Sequence, residues 1–181
     1  VNPTAAMDVP ADQVVCNGDG TTDVTFTTNR TGGTTTYAWT NDTPGIGLAA
    51  SDNGDIASFT ATNAGTGPVT ATITVTPTFE NGGVSCTGTA QTLTITVNPT
   101  ADMDVPADQV VCNDNGTTAV TFTTDRTGGT TTYAWTNDTP GIGLAASGSG
   151  NIASFTAVNA GTSPVVATIT VTPTFTNGAA S

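Results

Sequence analysis

The chain has no histidine and no lysine, and its only bases are Arg30 and Arg126. Without histidine the commonest general base is missing and a Ser-His-Asp triad cannot be assembled. Without lysine neither Schiff-base chemistry nor a lysine–asparagine cross-link is open. These absences argue against an enzyme. The formal net charge is −12, and a surface so poor in bases repels phosphate backbones and anionic lipid, which speaks against nucleic-acid and membrane-surface partners. No apolar run approaches the ~18 residues that a membrane helix needs, so no membrane insertion is expected. Val1-Asn2-Pro3 lacks a charged and an apolar leader region, so the chain reads as an internal or processed piece. Charged residues are 9% of the chain, too few for an acidic disordered tail. The polar surface is mostly Thr, Asn, Ser and Gly.

What is present is a repeat. Val1 to Ser85 reappears as Val97 to Ser181 at a fixed offset, with 14 differences. A period near a hundred residues predicts tandem domains of one kind. The expected domains are 1–98, whose residues 1–3 read as the tail of a preceding repeat, and 99–181, which stops before its last strand. Each copy is a control on the other. Ala6/Asp102, Gly18/Asp114, Asp23/Ala119, Asn29/Asp125, Asp52/Gly148, Asp55/Asn151 and Glu80/Thr176 differ, mostly at turn or outward positions, whereas Val24, Phe26, Tyr37, Trp39, Phe59, Ile73 and Val75 are unchanged.

Three cysteines are present, Cys16, Cys86 and Cys112. Cys112 is the copy of Cys16, and the copy of Cys86 would fall directly after Ser181. Two cysteines per repeat unit predict a Cys16–Cys86 disulfide in an oxidising compartment, with Cys112 bonded to a partner beyond Ser181. Such a bridge would contribute about 4 kcal/mol on the chain-entropy account.

The repeat alternates with period two. Gln13 to Cys16, Thr21 to Thr28, Thr34 to Thr40, Ile56 to Thr62, Val69 to Phe79 and Thr89 to Val97 read as strands, with Ala6 to Val9 and the short apolar piece Ile46 to Ala50 beside them. In the longest, Val69, Ala71, Ile73 and Val75 face one way and Thr70, Thr72, Thr74 and Thr76 the other. No stretch has a 3.6 period. Seven or so short strands predict an all-β, antiparallel sandwich of the immunoglobulin-like kind. The junction Asn98-Pro99-Thr100 is short and carries proline, so successive domains are expected end to end.

The combination VPADQVVCNG, YAWTNDTPGIGLAAS, FTATNAGT, VTATITVTPTF, SCTGT and TLTITVNPT resembles the PKD-like repeats of very large secreted surface proteins of Bacteroidetes-type gliding and adhesive bacteria. The resemblance covers essentially the whole chain. It implies an immunoglobulin-like sandwich, an extracellular or cell-surface location and a multi-repeat parent. Original PKD domains carry Trp-Asp-Phe-Gly-Asp-Gly where this chain has Trp39-Thr40-Asn41-Asp42, so only the PKD-like branch fits. That family brings no common catalytic site.

Among metal candidates, Asn17, Asp19 and Asp23 offer calcium oxygen ligands in a Gly-rich turn. The second copy keeps Asn113 and gains Asp114, but Ala119 replaces Asp23, and an Asx/Gly turn explains the loop equally well. Asn41-Asp42-Thr43 matches a glycosylation acceptor in both copies. The expectation is a structural segment of an extracellular filament or adhesin stalk whose partners are neighbouring repeats, of the same chain or of same-protein chains. The alternative is a module that binds carbohydrate or protein through its loops, for which an exposed Trp39 and Trp135 would speak.

Overall fold

The computed structural model describes residues 1–178 and is nearly all β. Among these residues the helical segments are two single 3₁₀ turns, Pro44–Ile46 and Pro140–Ile142. Each starts on a proline whose fixed φ suits a first helical position, and ends at a left-handed glycine, Gly47 or Gly143. The chain divides into two compact units. One is Val1–Thr100 together with the stretch that begins at Asn177, and the other is Ala101–Thr176.

The first unit carries β1 (Gln13–Cys16), β2 (Thr34–Asn41), β3 (Ser51–Asn53), β4 (Val69–Asn81), β5 (Val84–Thr87) and β6 (Gln91–Asn98) in one sheet. The order is β1-β6-β4-β2-β3, and β5 pairs with β4. Neighbours are antiparallel except β1 and β6, which run parallel from Gln13 opposite Ile95 to Cys16 opposite Asn98. The alternation in β4 is realised as read: Ala71, Ile73 and Val75 are fully buried, and the intervening threonines face outward. The expected strand Thr89 to Val97 is β6, Gln91–Asn98, and the short β5 precedes it along β4. Val75 lies opposite Gln91 but Thr78 lies opposite Thr87, so the β5–β6 side holds one extra residue, a bulge. Gly88 sits there, and a Cβ on it would collide with the Ala5 carbonyl oxygen.

The segments around Ala6–Val9, Thr21–Thr28 and Ile56–Thr62 are extended, yet they join only at single bridges, Asp8 to Thr27, Gly20 to Thr60 and Val24 to Ile56. Side chains have taken ladder positions. Phe26 N–H donates to Asp55 Oδ1 at 2.9 Å, Ser58 N–H to Asp23 Oδ1 at 2.6 Å and Phe59 N–H to Thr21 Oγ1 at 3.0 Å, local bonds that compete with regular pairing. Val24, Phe26 and Ile56 from this layer form one buried cluster with Trp39, Ile73, Val75, Leu93 and Ile95 of the sheet. Burying each such large aliphatic side chain contributes about 1.5–3 kcal/mol. Two β layers around one core are compatible with a β-sandwich.

The second unit repeats the centre of this plan. Its sheet is β7 (Thr130–Asn137), β8 (Ser147–Ser149) and β9 (Ile169–Thr176) in the order β8-β7-β9. β7 and β9 pair in the register of β2 and β4, with Trp135 opposite Val171 as Trp39 is opposite Val75. Its buried cluster is smaller: Phe122, Trp135 and Ile152, with Tyr133, Leu144, Ile169 and Val171 packed around them half-buried. The expected last strand of this copy lies outside the described residues.

Candidate functional site

The Gly-rich loop after β1 is a hydrogen-bonded turn. Asp19 N–H donates to Cys16 O at 3.1 Å, and Gly18 between them stands at φ 90°. In the second copy Asp114 occupies that left-handed position at φ 64°, which a short polar side chain tolerates. Two of the calcium candidates accept hydrogen bonds from different backbone amides. Asn17 Oδ1 accepts from Asn63 N–H at 2.7 Å, while Asp23 Oδ1 accepts from Ser58 N–H. A calcium cage needs six to eight oxygens around one point. Among the described residues no three of His, Cys, Asp and Glu come together as a metal group.

Several other carboxylates are also bonded to their own unit. Asp8 Oδ2 accepts from the Thr27 hydroxyl and Asp104 Oδ2 from that of Thr123, at 2.9 and 2.6 Å. Asp12 Oδ1 accepts from Thr94 N–H at 2.6 Å. Asp55 accepts from Phe26 N–H, and Asn151 in its place accepts from Phe122 N–H at the same 2.9 Å. The bond survives the loss of charge, so that position supplies an acceptor and needs no acid.

The most complete recurring arrangement is the corner Asn41-Asp42-Thr43-Pro44-Gly45. Asn41 is buried; its Nδ2 donates to Leu48 O at 3.1 Å and its Oδ1 accepts from Thr43 N–H at 2.9 Å. Asn137 repeats this with Leu144 and Thr139. A buried amide with its donors and acceptor committed is closed to a glycan. Asp42 Oδ1 accepts from Thr72 N–H at 2.8 Å and from the Thr43 hydroxyl at 2.9 Å. The Thr72 amide, then the Thr43 hydroxyl, hold its carboxyl below the usual carboxylate value, and Thr168 and Thr139 do the same for Asp138. The corner ties the 3₁₀ turn to β4, or to the residue that precedes β9, and the sequence showed Asn41-Asp42-Thr43 as a glycosylation acceptor and not as this tie, because its partners Leu48 and Thr72 are set by the fold.

The expected Cys16–Cys86 disulfide is overturned. All three cysteines are free. Cys16 ends β1 opposite Asn98, next to the Val97–Val69 pair, whereas Cys86 lies opposite Phe79. The stretch of β4 between Val69 and Phe79 separates their levels by roughly 30 Å, and a disulfide needs Cα atoms within about 7 Å. Burial, and then the Asp19 charge, raise the Cys16 thiol above its ordinary pKa. The expected partner of Cys112 lies outside the described residues.

No exposed ring platform is built from the tryptophans, as Trp39 is 4% and Trp135 8% exposed. Phe26 and Tyr37 pack tilted with centroids 5.4 Å apart, and Phe122 and Tyr133 repeat that pair. The second unit has an open groove of about 310 Å³ whose walls include Pro106, Asp108, Gln109 and Val120. No protein-family profile matches the chain, and no curated protein resembles it closely enough to match.

Proposed function

We propose that this chain is a structural segment of an extracellular bacterial filament or adhesin stalk, built of PKD-like, immunoglobulin-type sandwich repeats. The observation that carries the reading is how the recurring polar side chains are used. Asp8, Asn41, Asp42 and Asn63, with their copies Asp104, Asn137, Asp138 and Asn159, all bond within their own unit. They hold turns and corners in shape and form no shared reactive cluster. The buried tryptophans weigh against a sugar-binding module, which needs exposed ring faces.

The parallel β1–β6 pair supports a load-bearing role. The N-terminal strand of the sheet lies beside the C-terminal strand, in the same direction. Tension on the two ends of such a unit loads their hydrogen bonds in shear, so the bonds must fail together instead of one at a time. Asn17 N–H donates to Asn98 O at 2.8 Å, and Val15, two residues earlier, is on the same side of the strand.

The test is force extension of the chain held at its ends. The expected result is a distinct unfolding peak for the first unit, releasing about 30 nm of chain at ~3.5 Å per residue, and a lower peak in Val15→Pro, which removes a donor from the pair. Extension without a peak, or stoichiometric binding of a soluble glycan to the loops, would overturn the stalk.

A further inference from the structure

An asparagine followed by glycine can lose ammonia unaided, because no Cβ on the glycine keeps its nitrogen from the carboxamide carbon. The reaction has two structural requirements. The glycine N–H must not be engaged, and the asparagine carboxamide must be free to turn toward it. Four such steps precede β9, at Asn17-Gly18, Asn53-Gly54, Asn81-Gly82 and Asn115-Gly116. Gly18 N–H donates to Ala61 O and Gly54 N–H to Tyr37 O, both at 2.8 Å. Asn17 is held at its side chain as well, accepting from Asn63 N–H at 2.7 Å and donating to the Thr100 hydroxyl at 2.9 Å. Gly82 N–H has no partner among the described residues, but the Asn81 carboxamide is fixed by its bond to Asn2 Oδ1 at 3.1 Å. At Asn115-Gly116 both requirements are met. Among the described residues neither the carboxamide nor the glycine N–H has a partner, and both residues are exposed. Their counterparts Asp19 and Gly20 are exposed too, so the exposure belongs to this loop in both copies.

We infer that Asn115 is a self-modification site, at which the chain's own backbone and solvent water convert the asparagine to aspartate and isoaspartate. Solvent base takes the Gly116 amide proton. The Gly116 nitrogen then bonds to Cγ of Asn115, and the Cγ–Nδ2 bond breaks as ammonia leaves with a proton from water. A second water opens the resulting five-membered imide at either carbonyl. Opening at Cγ leaves an aspartate, the residue that the first copy carries as Asp19. Opening at the backbone carbonyl leaves isoaspartate, whose main chain runs through Cγ and is one methylene longer. The two products differ in consequence. Asp19 N–H donates to Cys16 O at 3.1 Å and Asp19 O accepts from Ala61 N–H at 2.8 Å, and Asn115 makes the same bonds with Cys112 and Ala157 at the same distances. The aspartate product therefore fits the loop without rearrangement. The isoaspartate product displaces the carbonyl that Ala157 uses, and the loop loses that tie.

The test is peptide mapping by mass spectrometry of the full chain, incubated at mildly alkaline pH in water labelled with heavy oxygen, natively and in denaturant. Each event incorporates one labelled oxygen. In the native chain Asn115 is expected to convert at least tenfold faster than Asn17, Asn53 or Asn81, with both products formed. In denaturant the four are expected to convert at similar rates. Gly116 is not left-handed, and a Cβ on it meets nothing within 4 Å, so Gly116→Ala is expected to fold as the parent does and to slow conversion at position 115 at least tenfold. Amide exchange at Ala157 is expected to rise as isoaspartate accumulates and to stay at the parent level in Asn115→Asp. Three results would overturn the inference: conversion at any of the other three steps ahead of Asn115, an Asn115 that converts only in denaturant, or an undiminished rate in Gly116→Ala.

Discussion

Ile73 and Ile169 have the same residue type, nearly the same sequence neighbours and the same partner across β2 or β7, Asn41 or Asn137. They differ in cover. Ile73 is 0% exposed and also has Leu93 beside it, whereas Ile169 is half-buried with no strand on that side among the described residues. Truncating a buried isoleucine to alanine costs about 2–5 kcal/mol, more where the site cannot collapse. A fully enclosed position belongs near the upper part, about 4 kcal/mol, and a position open on one side near the lower limit, about 2 kcal/mol. For units of this size each kcal/mol moves the melting temperature by about 4–8 °C, so Ile73→Ala should lower it by roughly 20 °C and Ile169→Ala by roughly half that. Each unit has one tryptophan, Trp39 or Trp135. Denaturant titration by fluorescence in a Trp135→Phe background therefore follows the first unit, and in a Trp39→Phe background the second. Each cost is taken against the parent in its own background. Equal costs in the two copies, within about 0.5 kcal/mol, would refute the claim that the covering strand decides the energetics of this position.

Gly88→Ala should destabilise the first unit by about 1–3 kcal/mol because its Cβ meets the Ala5 backbone, whereas Gly20→Ala, with open space around it, should stay within about 0.5 kcal/mol; denaturant midpoints check both. The carboxyls of Asp42 and Asp138 titrate below their unfolded value, so the stability they contribute is present above about pH 4 and is lost as pH falls through their lower folded values. The double variant Asp42→Asn, Asp138→Asn should accordingly flatten the acid limb of a melting-temperature profile, and an unchanged limb would exclude this role. Thiol titration of the unfolded chain should count three free thiols. In the native chain exposed Cys112 should react before half-buried Cys16, whose pKa is raised, and a count of one would restore an intra-unit bridge.

The sheet was legible because its signals are local. Thr34 to Thr40 and Val69 to Phe79 alternate cleanly and became β2 and β4 with ends moved by a residue or two. Thr21 to Thr28 and Ile56 to Thr62 alternate as well, yet are held by single bridges. The cause is non-local: Asp23 reads as a calcium candidate and Asp55 as a turn acid, and only the fold shows which amides they cap. Ile46, read as the start of a short apolar piece, closes a 3₁₀ turn after Pro44-Gly45. The bulge at Gly88 is invisible for the same reason, since its need arises from Ala5, distant in sequence. The cysteine pairing failed because a count per repeat carries no information on where along β4 each thiol falls.

The placement of Cys16 and Cys86 gives one unit the functionality of a two-ended monomer. In the vocabulary of polymer chemistry it cannot cyclise, because its reactive groups lie near opposite ends of a rigid sheet. Any disulfide that either thiol makes joins the unit to a different stretch of polypeptide. Oxidation that joins two chains would then change connectivity while leaving the unit's own folding entropy untouched, so its signature is molecular mass on a non-reducing gel and not a higher melting temperature.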